Sequence, residues 1–221
     1  GPRRLYGTAR TLPSRSLDYI IGGSWGGRTG GCTFGATAKR KPKIAIMPAM
    51  TMQYMRNVYV ADTARVLGEV ELGENVNIWY GVSIRGDVAK VTIGAGTNVQ
   101  DNAVIHCDSH VPNTIGANVT IGHGAIVHGV SVGDGTLIGM GATVLGGTRI
   151  GARCLIAAGA VVPPNLNVPD DTMVIGVPGR IARPTNEKER KYLAWLAPHY
   201  VELARHHHEK KDDVRVKPWG S

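Results

Sequence analysis

The chain has 221 residues and a formal net charge of +8, which allow one domain or one domain with appendages. The basic excess lies in residues 1–43, which hold nine Lys or Arg and one acid, so the remainder is neutral and gives no sign of a nucleic-acid-binding face. Three widely spaced cysteines imply no disulfide framework and fit a reducing compartment, and no apolar run approaches the roughly 18 to 20 residues that span a bilayer.

Residues 1–57 read as a basic, Gly-rich N-terminal arm without a clear period. Such an arm is either flexible or becomes ordered on a partner. Its Arg-rich, Ser-containing and acid-poor composition also resembles an organellar targeting region or the mature remnant of one.

Residues 58–183 carry a repeat of six residues. A fixed hexapeptide period is typical of a β-helix, in which three hexads close one triangular coil. A small or branched residue tends to follow four places after each anchor, and extra residues at Lys90–Thr92 and Asp108–Thr114 should bulge out as loops that leave the hexad count unchanged. The aliphatic anchors are Val60, Val66, Leu72, Ile78, Ile84, Ile93, Val99, Ile105, Ile115, Ile121, Val127, Val132, Ile138, Val144, Ile150, Ile156, Val162, Val168 and Val174.

Residues 184–221 predict a C-terminal α-helix and a polar tail. Asn186 and Glu189 have the spacing of a capping box, and Pro198 should kink or divide the helix. The run 206–208 of three histidines is expected at a solvated surface rather than at a metal. An apolar stripe should pack along the solenoid or a neighbouring subunit, and it consists of Tyr192, Leu193, Leu196, Tyr200 and Leu203.

The hexad count predicts which side chains share a face. Residues three hexads apart lie one coil apart, about 4.8 Å along the solenoid. The positions after three stacked anchors form a first column of Arg85, His106 and His128. A second column on another face holds Tyr80, Asp101 and His123, with Gln100 beside Asp101.

These columns predict a metal site that is shared between chains. His123 cannot reach His106 and His128 across a corner of its own solenoid, whereas a second copy packed face to face brings the three together. A heterologous contact of this kind must close, which favours a cyclic trimer with one site at each of three interfaces. Cys107 follows His106 but faces the other way on a strand, so it is not expected to be a ligand.

Several motifs together resemble the gamma-class carbonic anhydrases: the segments 85–87, 98–102, 105–106 and 121–129, and later 138–142 and 176–180. The resemblance implies a left-handed parallel β-helix with a C-terminal helix, assembled as a trimer. It implies zinc, with iron or cobalt as alternatives, bound by His106, His123 and His128 across each interface. Gln100 would hydrogen-bond the metal-bound solvent, Arg85 and Asp101 would pair between subunits, and Asp87 would be a structural acidic residue.

The implied chemistry is reversible hydration of CO2 to bicarbonate. Three neutral imidazoles leave zinc its full charge, which lowers the pKa of a bound water to about 7, a value known for carbonic anhydrases in general. Gln100 is uncharged and can orient the nucleophile without neutralising it, while an Arg85–Asp101 pair is a directional clamp that favours an interface role.

The sequence departs from the efficient members of the family. Val88 follows Asp87, and the loop 107–114 has no glutamate to export the proton, which leaves Asp108 or His110 as candidates. Val177 stands where many relatives carry Asn. With the basic arm and polar tail, these departures resemble the gamma carbonic anhydrase-like subunits on the matrix side of mitochondrial respiratory complex I, peripheral to the membrane arm and part of homo- or heterotrimers. The alternatives are a free-standing homotrimeric enzyme and a hexapeptide-repeat acyltransferase.

Overall fold

A computed structural model of the chain describes residues 51–210, 213, 215 and 216. They form a parallel β-solenoid of about six turns, followed by one α-helix, α1 (Glu187–Glu209). The predicted arm lies outside the described residues, apart from 51–57. The strands are β1 (Met52–Met55), β2 (Val58–Ala61), β3 (Arg65–Leu72), β4 (Asn77–Ile78), β5 (Ser83–Ile93), β6 (Asn98–Val99), β7 (Val104–Ile105), β8 (Asn113–Ile115), β9 (Thr120–Ile121), β10 (Ile126–Val127), β11 (Ser131–Val132), β12 (Leu137–Ile138), β13 (Thr143–Val144), β14 (Arg149–Ile150), β15 (Leu155–Ile156), β16 (Val161–Val162), β17 (Asn167–Val168), β18 (Thr172–Ile175) and β19 (Arg180–Pro184).

The strands form three faces. Face A is a sheet in the order β1-β2-β4-β6-β9-β12-β15-β18-β19. At its two edges, β1 pairs antiparallel with β2 and β19 pairs antiparallel with β18. A second sheet turns a corner within the long strand β5. Face B comprises the first half of β5 with β7, β10, β13 and β16, and face C comprises its second half with β8, β11, β14 and β17.

The predicted register is confirmed. Ile78 pairs with Val99 and Val99 with Ile121 on face A, while Ile105 pairs with Val127 on face B. From Ile78 onward every anchor is buried, and the earliest three are partly buried. The small residues four places after the anchors are buried as well, so the narrow interior is filled by aliphatic side chains and by Ala, Thr and Cys.

One of the two predicted loops is wrong. Residues 90–92 do not bulge out, since β5 continues through them as one strand paired with β3 and β8. The extra residues are instead taken up between Gly86 and Val91, where the register of β5 against β3 shifts. A widened corner therefore replaces a loop, because β3 offers backbone partners on both sides of it.

Helix α1 runs back along the solenoid from the last coil towards the first. Its N-terminal Arg190 donates to the Thr185 carbonyl beyond β19, and its later turns contact β1, β2, β4 and β6 on face A. The predicted capping box is confirmed: the Asn186 side chain accepts from the Glu189 amide at 2.9 Å, and the Glu189 carboxylate accepts from the Asn186 amide at 2.8 Å. The helix passes Pro198 without dividing.

The inner side of α1 follows much of the predicted stripe. Leu193 and Leu196 are buried, Tyr200 and Leu203 pack against a cluster that includes Trp79, and Tyr192 is about half exposed. Among the described residues, no helix combines the length and apolarity required to cross a bilayer.

The pH dependence of stability can be predicted from Glu189. Hydrogen bonds from Arg183, and then from the Asn186 amide, lower the pKa of Glu189 to about 2. A carboxylate whose pKa is depressed in the folded state contributes stability that is present above its unfolded pKa and is lost as pH falls through the folded value. We expect Glu189→Gln to have a lower free energy of unfolding than the unsubstituted chain at pH 6, with the gap closing between pH 4.5 and about 2.

Urea unfolding over this pH range, at constant protein concentration, measures the gap. Glu187→Gln is the matched control, because the Glu187–Lys191 pair is exposed and should contribute little at any pH. If the difference in free energy of unfolding between Glu189→Gln and the unsubstituted chain stayed constant down to pH 2, the lowered pKa of Glu189 would be contradicted.

Candidate metal site

His106 and His128 lie side by side on face B, as the register predicts. They directly follow the adjacent strands β7 and β10, and their ring centroids are 5.2 Å apart. Two imidazoles that bind one ion at about 2.1 Å and at a tetrahedral angle have centroids about 5 Å apart, so the observed spacing fits a pair of metal ligands.

His123 lies on a different face. It lies in the turn that ends the face A strand β9, in the same column as Tyr80 and Asp101. Among the described residues of one chain, no three His, Cys, Asp or Glu side chains are arranged to hold a metal. The donor set of three neutral imidazoles suits zinc, and the structure of one chain supplies it as two rings on face B and one on face A.

Each of the three imidazoles contacts an aspartate. His106 Nε2 is 3.0 Å from Asp87 Oδ1, and His128 Nε2 is 3.0 Å from Asp108 Oδ1. On face A, His123 Nδ1 is 2.9 Å from Asp101 Oδ2. A carboxylate on one ring nitrogen fixes the tautomer and orientation of a histidine and leaves the other nitrogen to a metal, which is the usual support of metal-binding histidines.

Arg85 stands where the column predicts, one coil from His106, but its partner in this chain is Asp87. The guanidinium donates to Asp87 Oδ2, while the other carboxylate oxygen contacts His106. The Arg85 hydrogen bond lowers the pKa of Asp87, so this group is a carboxylate at neutral pH. The predicted pairing of Arg85 with Asp101 of another subunit stays a prediction, and within one chain Asp101 contacts His123.

Gln100 is buried, with 4% of its surface exposed, and its amide oxygen accepts from the His123 backbone N–H at 3.2 Å. Gln100 therefore lies directly against the backbone of a candidate ligand. Cys107 points inward, as predicted, with its thiol donating to the Ala89 carbonyl at 3.3 Å. Burial raises the pKa of the Cys107 thiol, which keeps it in the neutral form.

One residue that holds the histidine strands together was missed by sequence reasoning. Asn113 is fully buried, and its side-chain amide donates to the carbonyl of His106 at 2.9 Å and to that of Val127, just before His128, at 3.3 Å. It follows the loop after His106, and its position could be found only from the path of that loop. The role of Asp108 as a partner of His128 was missed for the same reason.

The predicted solvated histidines on α1 are in fact partly buried. His207 packs edge-on against Trp79 with ring centroids 5.0 Å apart, and His208 Nδ1 is 3.1 Å from the Met52 carbonyl oxygen. Burial lowers the pKa of His207. These contacts make the histidines part of the junction between α1 and face A rather than a separate metal site.

Comparisons with known proteins agree with the repeat and the motifs. Two hexapeptide family models match, "Bacterial transferase hexapeptide (six repeats)" at residues 129–164 and "Hexapeptide repeat of succinyl-transferase" at residues 112–145. A probable carbonic anhydrase of Methanocaldococcus jannaschii is 44% identical over 149 residues, which cover 67% of this chain and 94% of that protein.

A second relative is Gamma carbonic anhydrase 2, mitochondrial, of Arabidopsis thaliana. It is 38% identical over 158 residues, which cover 69% of this chain, and the chain spans 57% of that relative's length. Among solved structures, a putative acetyltransferase of Bacillus cereus superimposes with a TM-score of 0.68 at 32% identity, covering 70% of this chain and 90% of that one.

The backbone packing around the glycine of the Arg85-Gly86-Asp87 motif leaves no room for a side chain, and this can be tested. A Cβ at Gly86 would lie 2.3 Å from the Glu69 carbonyl oxygen, where β3 and β5 meet at the widened corner. We expect Gly86→Ala to lower the free energy of unfolding by about 3 kcal/mol, because the backbone must move to admit the methyl group.

Chemical denaturation measures the loss, with Gly159→Ala as the control. Gly159 has a positive φ of +69°, but a methyl group there would meet open space, so only conformational strain of about 1 kcal/mol is expected. Equal losses in the two variants would show that the close approach at Gly86 does not matter.

Proposed function

Because the chain belongs to the gamma-class carbonic anhydrase family, we propose that it forms a trimer with zinc sites shared between subunits and suited to reversible CO2 hydration. Each site would take His106 and His128 from one chain and His123 from the next. The observation that carries the proposal is the pair of stacked imidazoles on face B, 5.2 Å apart, with the third imidazole on face A.

Outward-facing apolar side chains support face B as the contact surface. Val104 and Ile126 are 38% and 41% exposed, and they lie on β7 and β10, two residues before His106 and His128. Exposed aliphatic residues beside candidate ligands are typical of a surface that is covered in an assembly.

Zinc, when bound, supplies a Lewis acid that makes water a nucleophile at neutral pH. The chain's own residues hold and orient the reactants. Asp87, Asp108 and Asp101 fix the rings of the three histidines, and Gln100 lies beside His123, where an uncharged amide can direct the nucleophile towards CO2. Asp108, which is half exposed beside His128, and His110 in the same loop are the candidates for passing a proton to solvent.

We further propose that the protein acts within mitochondrial respiratory complex I, as a peripheral subunit on the matrix side with a structural or assembly role in the membrane arm. The basic arm, the polar tail and the lack of glutamates after Asp87 and His106 support this setting. So does the similarity to a relative named as mitochondrial. Partner chains would then be similar but not necessarily identical subunits, and the alternative is a free-standing homotrimer.

An acyltransferase is the second candidate class, since the fold is shared with a protein described as a putative acetyltransferase. The paired aspartate contacts of all three histidines favour the metal enzyme instead, because an acyltransferase has no need of three such rings on two faces. Binding of an acyl carrier such as coenzyme A to a zinc-free chain would favour the transferase.

The shared zinc site can be tested by metal analysis of the purified homotrimer. We expect one zinc per interface, and we expect His123→Ala or His106→Ala to lose the metal while the solenoid stays folded. His199→Ala is the matched control, because His199 stacks on the exposed Trp195 at 4.3 Å and away from the site. Stoichiometric zinc in His123→Ala would contradict the ligand assignment.

Co-expression of the two metal-free variants tests whether the site is shared. In a randomly mixed ring, the interface that joins intact His106 and His128 to an intact His123 arises at about one quarter of positions. We therefore expect about a quarter of the full zinc content to return. No recovery would mean that the three ligands belong to one chain.

The complex I setting has a separate test. Native gel electrophoresis of mitochondrial membranes, probed for this chain, should place it in a complex of megadalton size that also contains respiratory subunits. A band at the size of a lone trimer, found in the soluble fraction, would reject this setting and leave the free-standing enzyme.

A further inference from the structure

A ladder of buried amide side chains runs along face A to the candidate site. Asn77 and Asn98 are fully buried, Gln100 is 4% exposed and Trp79 is 5% exposed. Asn77 and Asn98 lie on β4 and β6, which α1 contacts. A polar row of this kind, shielded from water, must satisfy its hydrogen bonds internally.

Three bonds of the ladder point the same way, from His123 towards Asn77. The His123 backbone N–H donates to Gln100 Oε1 at 3.2 Å, and Gln100 Nε2 donates to Asn98 Oδ1 at 3.0 Å. Asn98 Nδ2 in turn donates to Asn77 Oδ1. The same Asn77 oxygen accepts from the Trp79 indole N–H at 2.9 Å.

The two ends of the ladder decide its direction. An indole N–H and a backbone N–H are donors only, whereas an amide can present either its oxygen or its nitrogen. The Trp79 indole therefore holds the Asn77 oxygen in place, and a flip of Asn98 or Gln100 would set donor against donor. A buried donor or acceptor without a partner costs more than an ordinary hydrogen bond contributes, so the whole row keeps one polarity.

We propose that Trp79 and Asn77 are positioning residues that fix, through Asn98, which end of the Gln100 amide faces His123. They touch neither a substrate nor a metal ligand side chain, and they lie up to two coils away from His123 along face A.

The catalytic consequence rests on the proposed function. With its oxygen beside His123, Gln100 can accept the hydrogen of the attacking water and leave that water's lone pair free for CO2. The opposite orientation would present N–H donors, which compete with CO2 for that lone pair. The ladder thus selects the productive orientation of an uncharged group.

Nuclear magnetic resonance can observe the ladder directly, because the chain holds only two glutamines, Gln53 and Gln100. Selective ¹⁵N labelling of glutamine side chains in the full trimer gives two NH₂ pairs. Gln53 is exposed and serves as an internal reference. We expect the Gln100 pair to exchange with solvent much more slowly than the Gln53 pair, because its hydrogens are buried and bonded.

The test variant is Asn77→Leu, which has a similar volume but no acceptor for Asn98 or Trp79. We expect the Gln100 signals to shift and exchange about five- to tenfold faster, the change that corresponds to one lost hydrogen bond. We also expect kcat/KM for CO2 to fall by a similar factor at unchanged zinc content. Asn77→Asp keeps an oxygen that accepts from both donors and should restore both properties.

Thr148→Val is the matched control. Thr148 is also fully buried and hydrogen-bonded within the solenoid, to the Pro163 carbonyl, but it is outside the ladder. Its substitution should leave the Gln100 signals unchanged. If Asn77→Leu does not fold, Trp79→Phe removes the terminal donor alone and should shift the same signals.

The outcomes separate this inference from the proposed function. Unchanged Gln100 signals in Asn77→Leu, or an equal change in Thr148→Val, would overturn the ladder as a positioning device. A trimer without zinc or hydration activity would refute the proposed function, while the Gln100 signals would still decide whether Asn77 and Trp79 orient that amide.

Discussion

Parallel backbone pairing between coils is the constraint on which the rest of the structure depends. Each strand donates and accepts along the solenoid, as in the bond from the His106 amide to the Val127 carbonyl and from the Gln100 amide to the Ile121 carbonyl. A slip of one residue would turn every side chain of a strand to the opposite side of its sheet. Insertions are therefore absorbed at corners and loops, and the columns above and below them stay aligned.

That constraint gives the candidate site its divided form. Backbone pairing holds His106 and His128 together on one face and keeps His123 on another, and no side-chain rotation within one chain can exchange the two faces. Two carboxylates come from less regular places: Asp87 from the widened corner of β5 and Asp108 from the loop after β7. Asp101 lies in the turn two residues after the end of β6. A regular scaffold thus sets the positions of the rings, and its irregular segments set their orientation.

The sequence is sufficient to predict those features that depend only on the spacing of residues. The anchors, the stacked histidine pair, the separate position of His123 and the capping box of α1 follow from periods and spacings of residues. It was insufficient where the outcome depends on the path of an insertion. Residues 90–92 stay in a strand because β3 provides partners beyond the corner, and the contact of Asp108 with His128 depends on how the loop returns.

The surroundings of α1 were unpredictable for a different reason. A helical stripe identifies the buried side of a helix but not the part of the solenoid on which it rests. His207 and His208 consequently appeared to be surface residues, although they contact Trp79 and Met52. The amide ladder could not be predicted because Asn and Gln on a strand usually face solvent. These side chains are buried only because α1 packs on the strands that carry them.

The return of α1 to the first coil also affects how the molecule unfolds. A linear array of repeats contacts only its nearest neighbours, so its ends can fray one coil at a time. Here the bond from His208 to the Met52 carbonyl, and the packing of Tyr200 and Leu203 near Trp79, join a segment that follows the last coil to the strands that begin the first. Fraying at the start of the array must also release the helix, which ties local opening at one end to the cooperative melting of the whole.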